Sequence, residues 1–141
     1  MNQSLSEAIN RNWTEIYYHL HYEHQEPITH QAIRMLQYLD FNGKATVGEL
    51  SNFLSVSHNT ASEHVKRLIQ KSWVAKIRST EDERRVHVVI TEDGKKILSR
   101  NTQLNEEKLA NILNSLTKEE ADTIKNAFAI LSWEAKACSP Q

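Results

Sequence analysis

One cysteine, two prolines and three glycines are spread over the 141 residues of this chain. Each scarcity excludes something. The lone Cys138 has no partner for an internal disulfide, which fits a reducing compartment. With so little Gly and Pro, long helices are favoured over a loop-rich or all-β fold. The glycines stand isolated at 43, 48 and 94, so no phosphate-cradling loop is present. There is no nucleophile elbow and no cysteine pair, and no catalytic constellation emerges. No apolar run nears the ~20 residues that span a bilayer, and Met1 to Glu7 lacks the basic-then-apolar layout of a signal peptide. The expectation is a cytoplasmic, non-enzymatic chain of one domain, with no membrane partner, no metal and no cofactor.

What charge there is lies unevenly. The chain as a whole carries −1, which announces no polyanionic partner. Between Lys44 and Lys96, however, ten Lys and Arg stand against seven Asp and Glu, giving +3. The rest of the chain holds seven against eleven, giving −4. A basic middle between acidic ends suits a reading head carried on a separate frame.

The periodicity supplies the parts. Leu5, Ala8, Ile9, Ile16 and Leu20 recur at helical spacing, and Ser4-x-x-Glu7 has the form of a capping box. Pro27 interrupts this run. Thr29 can cap a second helix with Ala32, Ile33, Leu36 and Leu39 inward, closed by Asn42-Gly43. Thr46-x-x-Glu49 is another capping box, opening a short helix with Leu50, Phe53 and Leu54 inward. Ser57 then caps a helix to about Lys71, buried through Ala61, Val65, Leu68 and Ile69. Residues 73–78 and 86–90 read as two strands joined by a charged tip, residues 79–85. From Thr91 one long helix is expected through Ile97, Leu98, Leu104, Ile112 and Leu113. Thr117-x-x-Glu120 restarts a last helix with Ile124, Ala127, Phe128 and Leu131.

Two helices joined by a tight turn and followed by a hairpin predict a winged helix-turn-helix, mainly α with a small β wing. A helix fits the major groove, where every base pair shows a distinct donor and acceptor pattern. The reading helix is 57–71, with Asn59, Ser62, Glu63, Lys66 and Gln70 outward. Ser57, His58 and Asn59 occupy its first turn, where base contacts concentrate. Lys66 and Arg67 can neutralise phosphates. Glu63 either pairs with Arg67 at i,i+4 or accepts from a cytosine amino group. A solvated polar face accounts for the same residues without any DNA.

From Pro27 to Leu98, and more loosely beyond, the sequence resembles the MarR family of bacterial regulators. The matched pieces are residues 29–36, 45–50, 56–62 and 66–68, then Asp82-Glu83-Arg84 followed by Val86, Val88 and Ile90-Thr91-Glu92-Asp93-Gly94. The last string is the most specific and looks like the family's wing. There a carboxylate two residues from an arginine can hold the guanidinium ready for a narrow minor groove, so Arg84 is expected in DNA with Asp82 positioning it. The resemblance implies a single domain over 1–141, with 28–98 as DNA-binding region and 1–26 and 99–141 as dimerisation helices. It also implies a homodimer on double-stranded DNA with a pseudo-palindromic operator, acting as a repressor that a small-molecule effector releases. Ser72 stands where many relatives have Gly, so a differently shaped turn is expected at the end of the reading helix; Glu63 stands where a basic residue is common, and these departures bear on operator sequence and not on DNA binding. A winged helix serving only as a protein-interaction module is the alternative.

Helices Leu5–Tyr22 and Glu119–Lys136 would interleave between chains, with Trp13, Phe128 and Trp133 at the joint or in the chain's own core. Tyr17, His21 and His24 mark the expected effector side. His21 and His24 could share a metal with Glu23 or Glu26, or line a pocket for an aromatic acid, or sit at a dimer surface with no ligand. Cys138 is either a redox sensor or an ordinary tail residue.

Overall fold

The computed structural model describes residues 2–23, 26–78 and 85–138. Its elements are α1 (Asn2–Leu20), α2 (His30–Asn42), α3 (Val47–Leu54), α4 (His58–Gln70), β1 (Val74–Arg78), β2 (Val86–Ile90), α5 (Glu92–Thr102), α6 (Glu106–Ser115) and α7 (Lys118–Cys138). β1 and β2 pair antiparallel, with Val74 opposite Ile90 and Arg78 opposite Val86. The chain is mainly helical with one small β wing, as the periodicity predicts. It divides into two compact units, Met1–Leu20 with Leu104–Gln141, and His21–Gln103.

The second unit holds the core. Met35, Leu36 and Leu39 of α2 meet Leu50 and Leu54 of α3, Val65 and Leu68 of α4, Val74 and Val88 of the wing, and Ile97 and Leu98 of α5. Side chains at the helix starts set the boundaries. Thr29 Oγ1 accepts from Ala32 N–H at 3.1 Å. At α3, Glu49 N–H donates to Thr46 Oγ1 at 3.1 Å, and Thr46 N–H donates to Glu49 Oε1 at 2.8 Å. That reciprocal box satisfies two otherwise orphaned donors. The backbone hydrogen bond from Thr46 holds the Glu49 carboxyl below its ordinary range. Just before α3, Ala45 exchanges backbone hydrogen bonds with Val88 at 3.1 and 2.7 Å. The segment entering the helix-turn-helix is thereby stitched to the wing.

Two expectations need correction. The long helix after Thr91 is two helices. α5 stops at Thr102, whose Oγ1 donates back to Leu98 O at 2.7 Å, while Asn101 Nδ2 donates to Ile97 O at 2.8 Å. Asn105 then caps α6 by accepting from Glu107 and Lys108 N–H at 3.0 and 3.2 Å. The apolar spacing runs on across this break, but short polar side chains satisfy the helix ends on both sides of it. Second, Ser4 lies inside α1, whose helical backbone already includes Asn2. A capping residue needs a non-helical backbone, so Ser4-x-x-Glu7 does not begin this helix.

The first unit is built differently. Neither α6 nor α7 has a buried residue. Ile9, Trp13 and Ile16 of α1 and Ala127, Phe128 and Leu131 of α7 line an apolar groove of about 690 Å³.

Gly94, in the first turn of α5, sits against the wing's root. A Cβ there would fall 2.1 Å from the Trp73 carbonyl oxygen and 2.8 Å from Ile90 Cγ1. The clash is with backbone, which cannot swing aside. Gly94→Ala is therefore expected to destabilise the second unit by about 1–3 kcal/mol, measured by urea unfolding. An unchanged midpoint would show that α5 does not dock this closely.

Candidate nucleic-acid interface

The turn between α3 and α4 is tight because Ser55 takes a left-handed backbone, φ 56°. Val56 N–H then reaches back to Ser51 O at 3.0 Å. Ser57 caps α4, its Oγ accepting from Thr60 N–H at 3.0 Å. Ala61, Val65 and Leu68 are buried and fix the helix against the core. This leaves His58, Asn59, Glu63, Lys66 and Gln70 exposed, with Ser62 half-buried at the edge. The expected Ser57, His58, Asn59, Ser62 and Lys66 thus gather along one face and the N-terminal turn.

Two side chains on α4 have different partners from those expected. Glu63 pairs with Lys66 at 3.6 Å, both exposed, rather than with Arg67. Such a pair is worth little in free energy, yet it leaves the outward face close to neutral. Arg67 Nη2 instead donates to His64 Nδ1 at 2.6 Å. A guanidinium has no acceptor, so this imidazole is neutral with its proton on Nε2. Three residues along a helix is one shared flank, whereas Lys66 and Arg67, adjacent in sequence, diverge. Arg67 therefore lies away from the centre of the polar face.

That flank borders a cleft of about 390 Å³ whose lining includes Ile28, Thr29, His64, Arg67, Lys71 and Trp73 and, among the described residues, no carboxylate. Lys71 Nζ lies 5.9 Å from the centre of the Trp73 ring. Burial in this cleft, and next the Arg67 charge, hold His64 below the ordinary imidazole pKa. The sequence reading passed over His64. Its spacing from Arg67 was the available signal.

α4 ends in a left-handed turn at Ser72, φ 66°. Trp73 N–H donates to Leu68 O at 3.0 Å and Ser72 N–H to Ile69 O at 2.9 Å, the paired closure that usually employs glycine. The turn thus keeps its shape with serine in place.

On the wing, Lys76, Arg78 and Arg85 are exposed. Asp82 and Arg84 lie outside the described residues, as does His24. Tyr17 is half-buried on α1, its ring 6.2 Å from that of Trp13. His21 is half-buried in the other unit. Among the described residues no three His, Cys, Asp or Glu converge as a metal would require. Cys138 is exposed at the end of α7. No described helix is long and apolar enough to cross a membrane.

A capped reading helix braced by α3 and followed by a two-stranded wing defines the class of winged helix-turn-helix DNA-binding proteins. Residues 17–101 match the family model described as transcriptional regulator SarA/Rot. The chain belongs to this family of transcriptional regulators, of the MarR type. It is 28% identical over 104 residues to the HTH-type transcriptional regulator YpoP of Bacillus subtilis, covering 74% of each chain. The structure of transcriptional regulator Tm0710 from Thermotoga maritima matches with a TM-score of 0.60 at 27% identity, over 78% of each chain. A mutant MarR from E. coli complexed with operator DNA matches with a TM-score of 0.52 at 26% identity, over 74% of this chain and 75% of that one.

The left-handed Ser72 generates a direct test. A non-glycine residue in this conformation costs about 1–2 kcal/mol, partly offset by glycine's greater freedom when unfolded. Ser72→Gly should therefore raise stability by about 0.5–1 kcal/mol and the melting temperature by about 2–4 °C. A lower melting temperature would mean that the serine side chain itself supports the turn.

Proposed function

We propose that this regulator is a repressor that binds a pseudo-palindromic operator as a homodimer, acting by occupancy and not by catalysis. The observation that carries the reading is α4: its apolar side is locked into the core while its capped first turn and polar face stand free. Ser57, His58, Asn59 and Ser62 would meet base edges, and Lys66 and Arg67 the phosphates. Arg84, oriented by Asp82, would enter the minor groove beside each half-site. In this reading residues 28–98 form the DNA-binding region, and residues 1–26 and 99–141 the dimerisation helices.

The exposed apolar side chains of the first unit favour a second copy as partner. Trp133 is 72% exposed and Ile130 67%, on a helix with nothing buried. A twofold pair would hold two reading helices about one DNA turn apart, and the operator would repeat that symmetry. A small-molecule effector acting near Tyr17, His21 and His24 would release the DNA.

The test is fluorescence-anisotropy binding to a pool of short duplexes across a salt series. Wild type should select pseudo-palindromes. Lys66→Ala should lower the salt slope by about one, and Arg84→Ala should weaken binding about tenfold. Weak binding, indifferent to sequence and to Arg84, would favour a protein-interaction module. For the assembly, sedimentation should find a dimer in wild type and a shift toward monomer in Trp133→Glu. A monomeric wild type at micromolar concentration would overturn the twofold reading.

A further inference from the structure

The hydrogen bond between His64 and Arg67 lies on the reading helix, but His64 itself faces the cleft and not the outward polar face. Its Nδ1 serves as acceptor only while the ring is neutral. Among the described residues, few charged groups line its cleft. From α4 come Arg67 and Lys71, both cationic. Pro27, Ile28, Thr29 and Ala32, from α2 and the segment before it, and Trp73, from beyond α4, contribute no titratable carboxylate to the cleft. Glu63, adjacent in sequence, is turned to Lys66.

We propose that His64 is a positioning residue for Arg67, and that it makes DNA binding depend on a proton. With the ring neutral, Arg67 is latched to the flank of α4 by its Nη2. When a proton from solvent occupies Nδ1, the acceptor is gone, and two adjacent cations repel. Arg67 is then released to the phosphates, and the reading helix gains one positive charge. This deepens the DNA-binding reading above and rests on it.

The sign follows from linkage. In free protein, burial and Arg67 depress the imidazole pKa. Phosphates nearby favour the protonated ring, so the pKa is higher in the complex and binding takes up a proton. Affinity therefore rises as pH falls below the value in the complex, and levels off below the depressed value in free protein.

The experiment measures duplex affinity at constant ionic strength from pH 8 to pH 5.5. Wild type should tighten by about three- to tenfold over that span, with a salt slope steeper by about one at the acidic end. His64→Gln keeps an acceptor but cannot take the proton, so it should lose this gain. His19→Gln, altering an exposed histidine of α1 that has no part in the reading head, should retain it. An NMR titration supplies a readout independent of affinity: the His64 pKa should rise on adding duplex, and rise part of the way in Arg67→Gln. Equal pH dependence in wild type and His64→Gln, or a His64 pKa that does not rise with duplex, overturns the proposal alone. Absence of DNA binding at every pH overturns it together with the function on which it rests.

Discussion

The geometry of the reading head depends on one close approach, where the first turn of α5 meets the backbone at Trp73. Three interactions converge there. Thr91 N–H donates to the Trp73 carbonyl at 3.0 Å, Thr91 Oγ1 donates to the Ser72 carbonyl at 2.6 Å, and Gly94 packs over the same peptide with no room for a side chain. Ser72 and Trp73 are also the residues that close the C-terminus of α4. One short segment thus ends the reading helix, begins β1 and receives α5. Thr91 does double duty, since its Oγ1 also accepts from Gly94 N–H at 3.0 Å to cap α5. Because the wing hangs from this junction and Ala45 ties its second strand to the start of α3, α4 and the wing share a single support. A protein that reads DNA gains from probes held at fixed spacing before it meets the duplex, and under the proposed reading this junction would hold them so.

The electrostatics of the head follow a different logic from its packing. Glu63 cancels Lys66 locally, and the chain carries −1 overall. Little long-range field is left to draw a polyanion in unselectively. Under the proposed reading, binding would lean on short-range fit at the first turn of α4 and on the cations spread over its flank and the wing. Such an arrangement would trade non-specific affinity for discrimination, because phosphate neutralisation is indifferent to sequence while base contacts are not. It also gives weight to any single added charge. A head with few net positive charges responds more, in proportion, to one proton than a strongly basic head does.

Much of this was legible in the sequence wherever a signal was local. Thr29, Thr46, Ser57 and Thr117 each cap the helix that their spacing announced. At Thr117, Glu120 N–H donates to Thr117 Oγ1 at 3.1 Å, and Thr117 N–H donates to Glu120 at 3.0 Å. The wing strands fell where alternation placed them, because period-two patterning and a charged tip are properties of consecutive residues. What escaped were choices among neighbours. Apolar periodicity passes smoothly through residues 97–113, so only the Asn105 cap betrays the break, and asparagine alone is a weak signal. Arg67 offered two partners at helical spacing, Glu63 one turn before it and His64 three residues before it. Pattern alone could not choose. His64 and Arg67 both line the cleft beside α2, and a cleft is made by residues far apart in sequence.

The first unit poses the remaining physical question, namely what keeps its helices folded. α7 runs 21 residues, about 31 Å, without one buried side chain in the single chain. A helix so exposed gains little from propensity, since isolated helices are marginal in water and owe their persistence to an apolar face buried elsewhere. On α7 the apolar residues do not form one stripe. Ile124, Phe128 and Leu131 recur at helical spacing on one side, while Trp133 lies about half a turn round from them. A helix apolar on two sides asks for neighbours on two sides. α1 offers one, across the groove that Trp13 and Phe128 line. If a second copy supplies the other, folding and association of this unit form one equilibrium, and its stability depends on protein concentration. The second unit, with its own continuous core, would have no such dependence. On that condition the chain would join a head with a core of its own to a frame completed by pairing, and DNA binding would inherit the concentration dependence of the frame.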